Sequence, residues 1–211
     1  MPGRKILWGV NAVGLRLRGL SISFPGMVGP TTFILGRRNV KIGIRVRIWP
    51  GLRLEVFEGA TLTIEDNVVL GANCHITIAA DLTIGAGSNF TGCNVITDIT
   101  YALREMHLPS IDRPWDISPV HLGRNLFVGH GAKILPGTML ADGSVVGANA
   151  VVANIVAPQN AVITGIPGRV KRVVVGRRCT QHPGPKWAVG THHPAHLSST
   201  LCGQRRPCKS C

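Results

Sequence analysis

Large apolar residues recur every six positions in the second half of the chain. The unbroken series is Leu122, Val128, Ile134, Leu140, Val146 and Val152. The next residue in each repeat is mostly small, and the residue four positions on is mostly small or β-branched. A period of six matches neither the 3.6 of a helix nor the 2 of a flat strand. It predicts a three-sided coil in which each short strand turns one aliphatic side chain to the axis.

The same spacing occurs earlier in the chain, in three sets. These sets are Ile42, Ile48 and Leu54; Ile64, Leu70 and Ile76; and Ile84, Phe90 and Ile96. The two gaps between the sets exceed six residues, which predicts small bulges at corners of the coil. The interval from Ile96 to Leu122 is a true insertion, so residues 97–119 are expected to form an extended loop, a place where solenoids often carry function.

These patterns predict an all-β fold in three parts. Residues 35–172 form a left-handed parallel β-helix of hexapeptide repeats. Residues 1–34 are a basic, amphipathic segment that either caps the open end of the β-helix or lies on a membrane surface. Residues 173–211 form a basic tail rich in Cys and His, which we expect to be disordered.

The net charge of +13 is concentrated at the two ends of the chain. Residues 1–54 hold ten Lys and Arg and no acidic residue, whereas residues 55–172 hold seven Lys and Arg against ten acids. Such a flank suits an anionic lipid, a phosphorylated ligand or nucleic acid, or it is simply solvated. We expect no nucleic-acid partner. Without an apolar run of membrane-spanning length or a signal cleavage site, a cytoplasmic protein is expected, with peripheral contact at the inner membrane face as an open alternative.

Three segments carry a resemblance to a known family. They are LGRNLFVGHGAKILPGT (122–138), DGSVVGANAVV (142–152) and GIPGRVKR (165–172). In this order and spacing they resemble the hexapeptide-repeat acyltransferases, which include sugar, serine and capsular-polysaccharide O-acetyltransferases. The resemblance covers about residues 35–172.

The resemblance implies transfer of an acetyl group from acetyl-coenzyme A to a hydroxyl of a saccharide. It also implies a homotrimer in which coenzyme A lies in a groove between neighbouring subunits, beside the extended loop. An N-acetyltransferase acting on a nucleotide sugar and a catalytically silent β-helix scaffold remain alternatives. No metal is expected, because Leu135 stands where the related γ-class carbonic anhydrases place a second zinc-binding His.

The family's catalytic His has no counterpart at its usual position, since residues 99–102 are Ile, Thr, Tyr and Ala. Acyl transfer to a hydroxyl needs a base to take the proton of the acceptor. His107 in the loop and His75 on a coil are the candidates for that base. Asp98 is the nearest acidic partner for such a His.

The remaining candidate residues bind the two substrates. Asn73 matches a sugar-binding Asn in the galactoside branch of the family, and Tyr101 in the loop is a second candidate for acceptor binding. The positions that match the family's coenzyme A site are His130, Ala148, Ala153, Asn154, Arg169 and Arg172. The two arginines are expected to meet the phosphates of the cofactor.

Overall fold

The computed structural model describes residues 2–175, and it is a parallel β-solenoid of seven coils preceded by one helix. The helix α1 spans Pro2–Leu17 and is the one α-helix in this part of the chain. The predicted β-helix of hexapeptide repeats is therefore confirmed. The predicted tail beyond residue 175 lies outside the described residues.

The first six coils each contribute one strand to each of three sheets, and the seventh contributes only to sheets 1 and 2. Sheet 1 contains β1 (Ser21–Ile22), β4 (Val40–Ile42), β7 (Leu62–Ile64), β10 (Leu82–Ile84), β15 (His121–Leu122), β18 (Met139–Leu140) and β21 (Val156–Ala157). Sheet 2 contains β2 (Met27–Val28), β5 (Arg47–Ile48), β8 (Val69–Leu70), β11 (Asn89–Phe90), β16 (Phe127–Val128), β19 (Val145–Val146), β22 (Ala161–Thr164) and β23 (Arg169–Val173). Sheet 3 contains β3 (Phe33–Leu35), β6 (Arg53–Val56), β9 (His75–Ile78), β12 (Val95–Thr97), β17 (Lys133–Ile134) and β20 (Val151–Val152). Neighbouring strands are parallel except for the last pair, β22 and β23.

The repeating apolar residues fill the axis of the solenoid. Every residue of the four predicted sets is buried, and equivalent residues pair in register from coil to coil, as Leu54 does with Ile76 and Ile96 with Ile134. Backbone hydrogen bonds join each strand to the coils before and after it. The axis is therefore a continuous apolar column that no single coil could bury alone.

The sequence pattern predicted corner bulges at the two long gaps in the repeat, and this prediction is wrong. Instead β6 and β9 each have four residues, and their extra inward side chains, Val56 and Ile78, are buried. The paired strands β7 and β10 add Leu62 and Leu82 to the same column. These two coils are wider on the side where sheets 3 and 1 meet, because extra apolar residues lengthen their strands.

The cap at the open end is smaller than the predicted segment 1–34. Of the described residues, α1 alone covers the end, and the first coil already begins at Ser21. The buried Ala12 faces that coil, and Asn11 donates from Nδ2 to the carbonyl oxygens of Val28 and Gly29 at 3.1 and 2.9 Å. Those two bonds satisfy backbone groups that an uncapped end would leave unpaired.

The predicted insertion leaves the solenoid after β12 and returns at β15. Its base is a two-stranded antiparallel hairpin of β13 (Ile99–Tyr101) and β14 (Trp115–Ile117). Short 3-10 turns at Leu103–Glu105 and Ser110–Asp112 lie between these strands, and a third turn, Arg37–Asn39, precedes β4. The Trp115 ring packs against Phe57, at 4.6 Å between centroids. The hairpin thus folds back over the corner where sheet 3 meets sheet 1.

The last coil ends differently from the others. Strand β23 turns back and pairs antiparallel with β22, and it runs to Val173, one residue beyond the predicted end of the β-helix. The Val174 backbone N–H also donates to the carbonyl oxygen of Asn160. Among the described residues, no helix is long and apolar enough to cross a membrane.

Candidate active site

The outer face of sheet 3 brings a histidine, a hydroxyl and a carboxylate together. His75 and Thr77 lie on β9, and Glu55 lies opposite Thr77 on the neighbouring strand β6. The His75 Nε2 is 2.9 Å from the Thr77 Oγ1 and 3.3 Å from the Glu55 Oε2. The Thr77 Oγ1 donates to the same carboxylate oxygen at 2.9 Å. The carboxylate of Glu55 therefore orients the side chains of both Thr77 and His75.

The carboxylate of Glu55 favours one tautomer of the imidazole. A carboxylate can only accept, so we assign the Thr77 hydroxyl proton to Glu55, and the Thr77 oxygen then accepts from His75 Nε2. The neutral ring then carries its proton on Nε2 and a free lone pair on Nδ1. Nδ1 has no hydrogen-bond partner within residues 2–175, and the His75 side chain is 40% exposed. The Nδ1 atom is therefore available to accept a hydrogen bond from a bound ligand.

Glu55 remains ionised in this setting. Its burial would raise the pKa, but hydrogen bonds from Thr77, Arg53 and His75 and the charge of Arg53 outweigh it, so the pKa of Glu55 lies below its usual value. Arg53 donates to Glu55 from Nε at 2.8 Å. An ionised Glu55 would stabilise a protonated His75, as a carboxylate does for a catalytic imidazole.

Asp98 has a structural position. Its two carboxylate oxygens accept from the backbone N–H groups of Ala79 and Ala80 at 2.9 and 2.8 Å, and the residue is buried. Burial raises the pKa of Asp98, although these backbone hydrogen bonds act in the opposite direction. The structure does not bring Asp98 and His107 into an ion pair. Asp98 instead ties the base of the loop to the end of β9.

The other proposed base, His107, lies at the surface of the loop. Its side chain is 70% exposed, and its Nε2 is 3.6 Å from the Glu105 Oε2. Tyr101, the loop candidate for acceptor binding, pairs across the hairpin with Trp115 and is about half exposed. Cross-strand neighbours share one face of a hairpin, so Tyr101 lies on the face that carries the Trp115–Phe57 contact.

Asn73 lies with two of the coenzyme A candidates at the corner between sheets 2 and 3. It has a φ of +57°, a left-handed conformation that Asn tolerates at tight corners. His130 and Ala148 are exposed at the same corner on later coils, and the His130 ring lies close to Gly92 of the intervening coil. These three positions therefore line one edge of sheet 3.

The other coenzyme A candidates lie elsewhere. Ala153 and Asn154 are exposed at the opposite edge of sheet 3, where sheet 3 meets sheet 1, and Asn154 also has a positive φ. Arg169 and Arg172 are exposed on β23, which extends sheet 2. Sheet 3 separates His130 and Ala148 from Ala153 and Asn154, so the six residues do not form one patch on a single chain.

The sequence analysis missed Glu55, Thr77 and Lys133. All three are outward residues of sheet 3, and Lys133 donates from Nζ to the Gly131 carbonyl oxygen at 2.7 Å. The period could have revealed Glu55, because it precedes Thr77 by 22 residues, the length of one widened coil. Within residues 2–175, no three His, Cys, Asp or Glu side chains cluster as metal ligands.

The chain matches known proteins along most of the solenoid. The sequence profile of the bacterial transferase hexapeptide (six repeats) family matches residues 119–154. WbbJ of Escherichia coli K12, assigned by name to O-acetyl transfer in lipopolysaccharide biosynthesis, is 32% identical over 145 residues, which are 65% of this chain and 74% of WbbJ. Galactoside O-acetyltransferase of the same organism is 32% identical over 107 residues, about half of either chain.

A solved structure shares the fold. AntD, an N-acyltransferase from Bacillus cereus crystallised with dTDP and 3-hydroxybutyryl-CoA, superposes with a TM-score of 0.65. The match covers 77% of this chain and 87% of AntD, at 15% sequence identity. At that identity the similarity concerns the solenoid and not the residues of the site.

The buried carboxylate of Asp98 leads to a prediction about stability. In Asp98→Asn, an amide NH₂ replaces one of the two acceptor oxygens, so one backbone N–H at Ala79 or Ala80 loses its partner. We expect the free energy of unfolding to fall by about 1–3 kcal/mol, measured by urea denaturation. Asp112→Asn, an exposed loop change, is the matched control. Equal stability of both variants would contradict this structural role of Asp98.

Proposed function

The chain belongs to the bacterial hexapeptide-repeat acyltransferases, and we propose that it transfers an acetyl group from acetyl-coenzyme A to a hydroxyl of a saccharide. The observation that carries the mechanism is the hydrogen-bonded chain His75–Thr77–Glu55 on the outer face of sheet 3. The hairpin beside it, with Tyr101 and Trp115, offers an aromatic wall of the kind that packs against sugar rings. WbbJ and galactoside O-acetyltransferase support this choice of reaction.

In the proposed mechanism, His75 is the general base. Its Nδ1 takes the proton of the acceptor hydroxyl while the hydroxyl oxygen forms a bond to the thioester carbon. The imidazolium is stabilised by the carboxylate of Glu55 through Thr77. When the tetrahedral intermediate collapses, the C–S bond breaks and the departing thiolate takes the proton from Nδ1. His75 is thereby returned to its neutral form.

His75 is favoured over His107 on geometry. A base acts best when a second group fixes its tautomer and orientation. His75 has such partners at 2.9 and 3.3 Å, whereas within residues 2–175 the one polar partner of His107 is Glu105, at 3.6 Å on an exposed turn. We therefore assign His107 to the loop surface.

Acetyl transfer by this base is tested with two histidine variants. We expect His75→Ala to lower kcat by about 10²–10⁴-fold, the usual contribution of a general base, and His107→Ala to change it less than twofold. The measurement is thiol release from acetyl-coenzyme A with a panel of methyl hexosides. Both variants should keep the rise in melting temperature that coenzyme A gives the wild type, because neither histidine is assigned to the cofactor. Full activity of His75→Ala would refute the assignment.

We further propose that the protein works as a homotrimer, the usual assembly of this family. Three apolar loop side chains are strongly exposed in the single chain, Leu103 at 73%, Met106 at 66% and Ile111 at 86%, and a neighbouring subunit would cover them. Light scattering after gel filtration should give three times the chain mass of 22.5 kDa. A mass of one chain at micromolar concentration would contradict the trimer.

A cytoplasmic protein that touches the inner membrane face is the proposed location. Helix α1 packs Ala12 and Leu15 against the apolar core and Trp8 against Trp49 of the second coil, and it exposes an apolar stripe on its other side. That stripe follows helical spacing, with Ile6, Val10, Val13 and Leu17 at 71, 63, 46 and 84% exposure. The acid-free, basic character of residues 1–54 matches an anionic lipid surface.

Replacing part of this stripe should weaken membrane binding. We expect Val10→Ser/Leu17→Ser to lower the fraction that sediments with vesicles of phosphatidylglycerol and phosphatidylcholine, because less apolar area enters the interface. Val156→Ser, an equally exposed change on β21, should leave the fraction unchanged. Equal sedimentation of all three proteins would remove the membrane proposal.

A further inference from the structure

A basic cleft lies where the first two coils turn from sheet 3 to sheet 1. Its volume is about 650 Å³, which lies within the range of small-molecule sites. Its walls include Arg18, Arg37 and Arg38, together with the apolar side chains of Leu35 and Phe57. None of these residues is used by the mechanism above.

A tight turn brings two of the arginines to the cleft. Gly36 has a φ of +72°, and a Cβ at this position would collide with the carbonyl oxygen of Val56 on the next coil. Only glycine permits so close an approach. The turn Arg37–Asn39 follows directly and places Arg37 and Arg38 side by side.

Within residues 2–175, only some of the N–H donors of the Arg37 guanidinium have a hydrogen-bond partner. Its Nη1 donates to the carbonyl oxygen of Arg18 at 3.3 Å, but its Nε is buried and has no hydrogen-bond partner within residues 2–175. A buried donor without a partner is costly, and such donors are rare in native proteins. An oxygen of a bound anion would complete this donor set.

Carboxylates within residues 2–175 offset only part of the positive charge of the cleft. Across the part of the chain that the structure describes, Arg18, Arg37 and Arg38 form no ion pair. Glu58 also borders the cleft, so its three positive charges face one negative charge. Guanidinium groups bind phosphate oxygens in a planar, two-pronged arrangement.

We propose that this cleft binds the diphosphate of a sugar-diphosphate acceptor, an inference that rests on the proposed function. The strand register relates the position of the cleft to that of the base. Leu35 in the cleft pairs with Glu55, and Glu55 pairs with Thr77 beside His75. Two strand spacings, roughly 10 Å, separate Leu35 from Thr77, and His75 lies two residues before Thr77 on the same strand. A sugar attached to a diphosphate in the cleft would thus extend its ring toward His75.

Two kinds of acceptor could place a sugar diphosphate in the cleft. A soluble nucleotide sugar and a sugar carried on a lipid diphosphate both present a sugar diphosphate. Helix α1 ends at Leu17, the last residue of the exposed apolar stripe, and Arg18 of the cleft follows it directly. That adjacency favours the lipid-carried form, in which the diphosphate lies at the membrane surface.

The cleft is tested first with inorganic pyrophosphate and the full chain. Isothermal titration calorimetry should show binding to the wild type that weakens with added salt. Arg37→Ala and Arg38→Gln should each weaken it about tenfold or more, as expected for loss of a charge-assisted hydrogen bond. Arg38 is exposed, so its variant should fold normally. Arg47→Gln removes an equal charge from β5 and should bind like the wild type.

No binding to the wild type, or equal losses in all three variants, would overturn the proposal. UDP-glucose and a polyprenyl diphosphate-linked glucose in vesicles separate the two sources, because the preferred one should bind more tightly than pyrophosphate and lose that affinity in Arg38→Gln. If neither does so, the cleft does not hold the acceptor. Pyrophosphate binding without any acetyl transfer would refute the proposed function and leave the anion site standing.

Discussion

The parallel hydrogen bonding between successive coils is the constraint on which the rest of the structure depends. Each strand pairs in register with the equivalent strand one coil away, so inward side chains form one apolar column and outward side chains form ladders along each face. Residues about twenty positions apart in the chain therefore become neighbours at the spacing of adjacent strands. The residues of the candidate site are therefore neighbours across adjacent strands and do not form a short sequence motif.

Sheet 3 shows how the ladder combines separate chemistry. Glu55, Thr77 and His75 come from two adjacent coils, and the loop that follows β12 is anchored to the end of β9 by Asp98. The same register carries the face from His75 toward the arginine-lined cleft in one direction and toward Lys133 in the other. Sheet 3 thus carries the base, the hairpin beside it carries the aromatic wall, and the turn that follows its first strand carries the arginines.

Much of the fold could be predicted from the sequence, because one aliphatic residue per side is enough to define a three-sided coil. The core positions and the insertion were identified correctly. The wider coils were misread, since Val56 and Ile78 add to strands and leave the corners unchanged. The site was harder to predict: Asp98 has the residue type of a catalytic partner, but only the coordinates show both of its oxygens bound to backbone N–H groups. Likewise, the proximity of Glu55 to Thr77 and His75 can be recognised only when the register between coils is known.

The most direct test is the tautomer of His75, observed by nitrogen NMR of the folded protein with labelled histidine at a pH high enough to keep the ring neutral. The ladder on sheet 3 predicts a proton on Nε2 and an unprotonated Nδ1, and a loss of this preference in Thr77→Val. A ring protonated on Nδ1, or one that is indifferent to Thr77, would contradict the claim that the stacked coils build and orient the catalytic base.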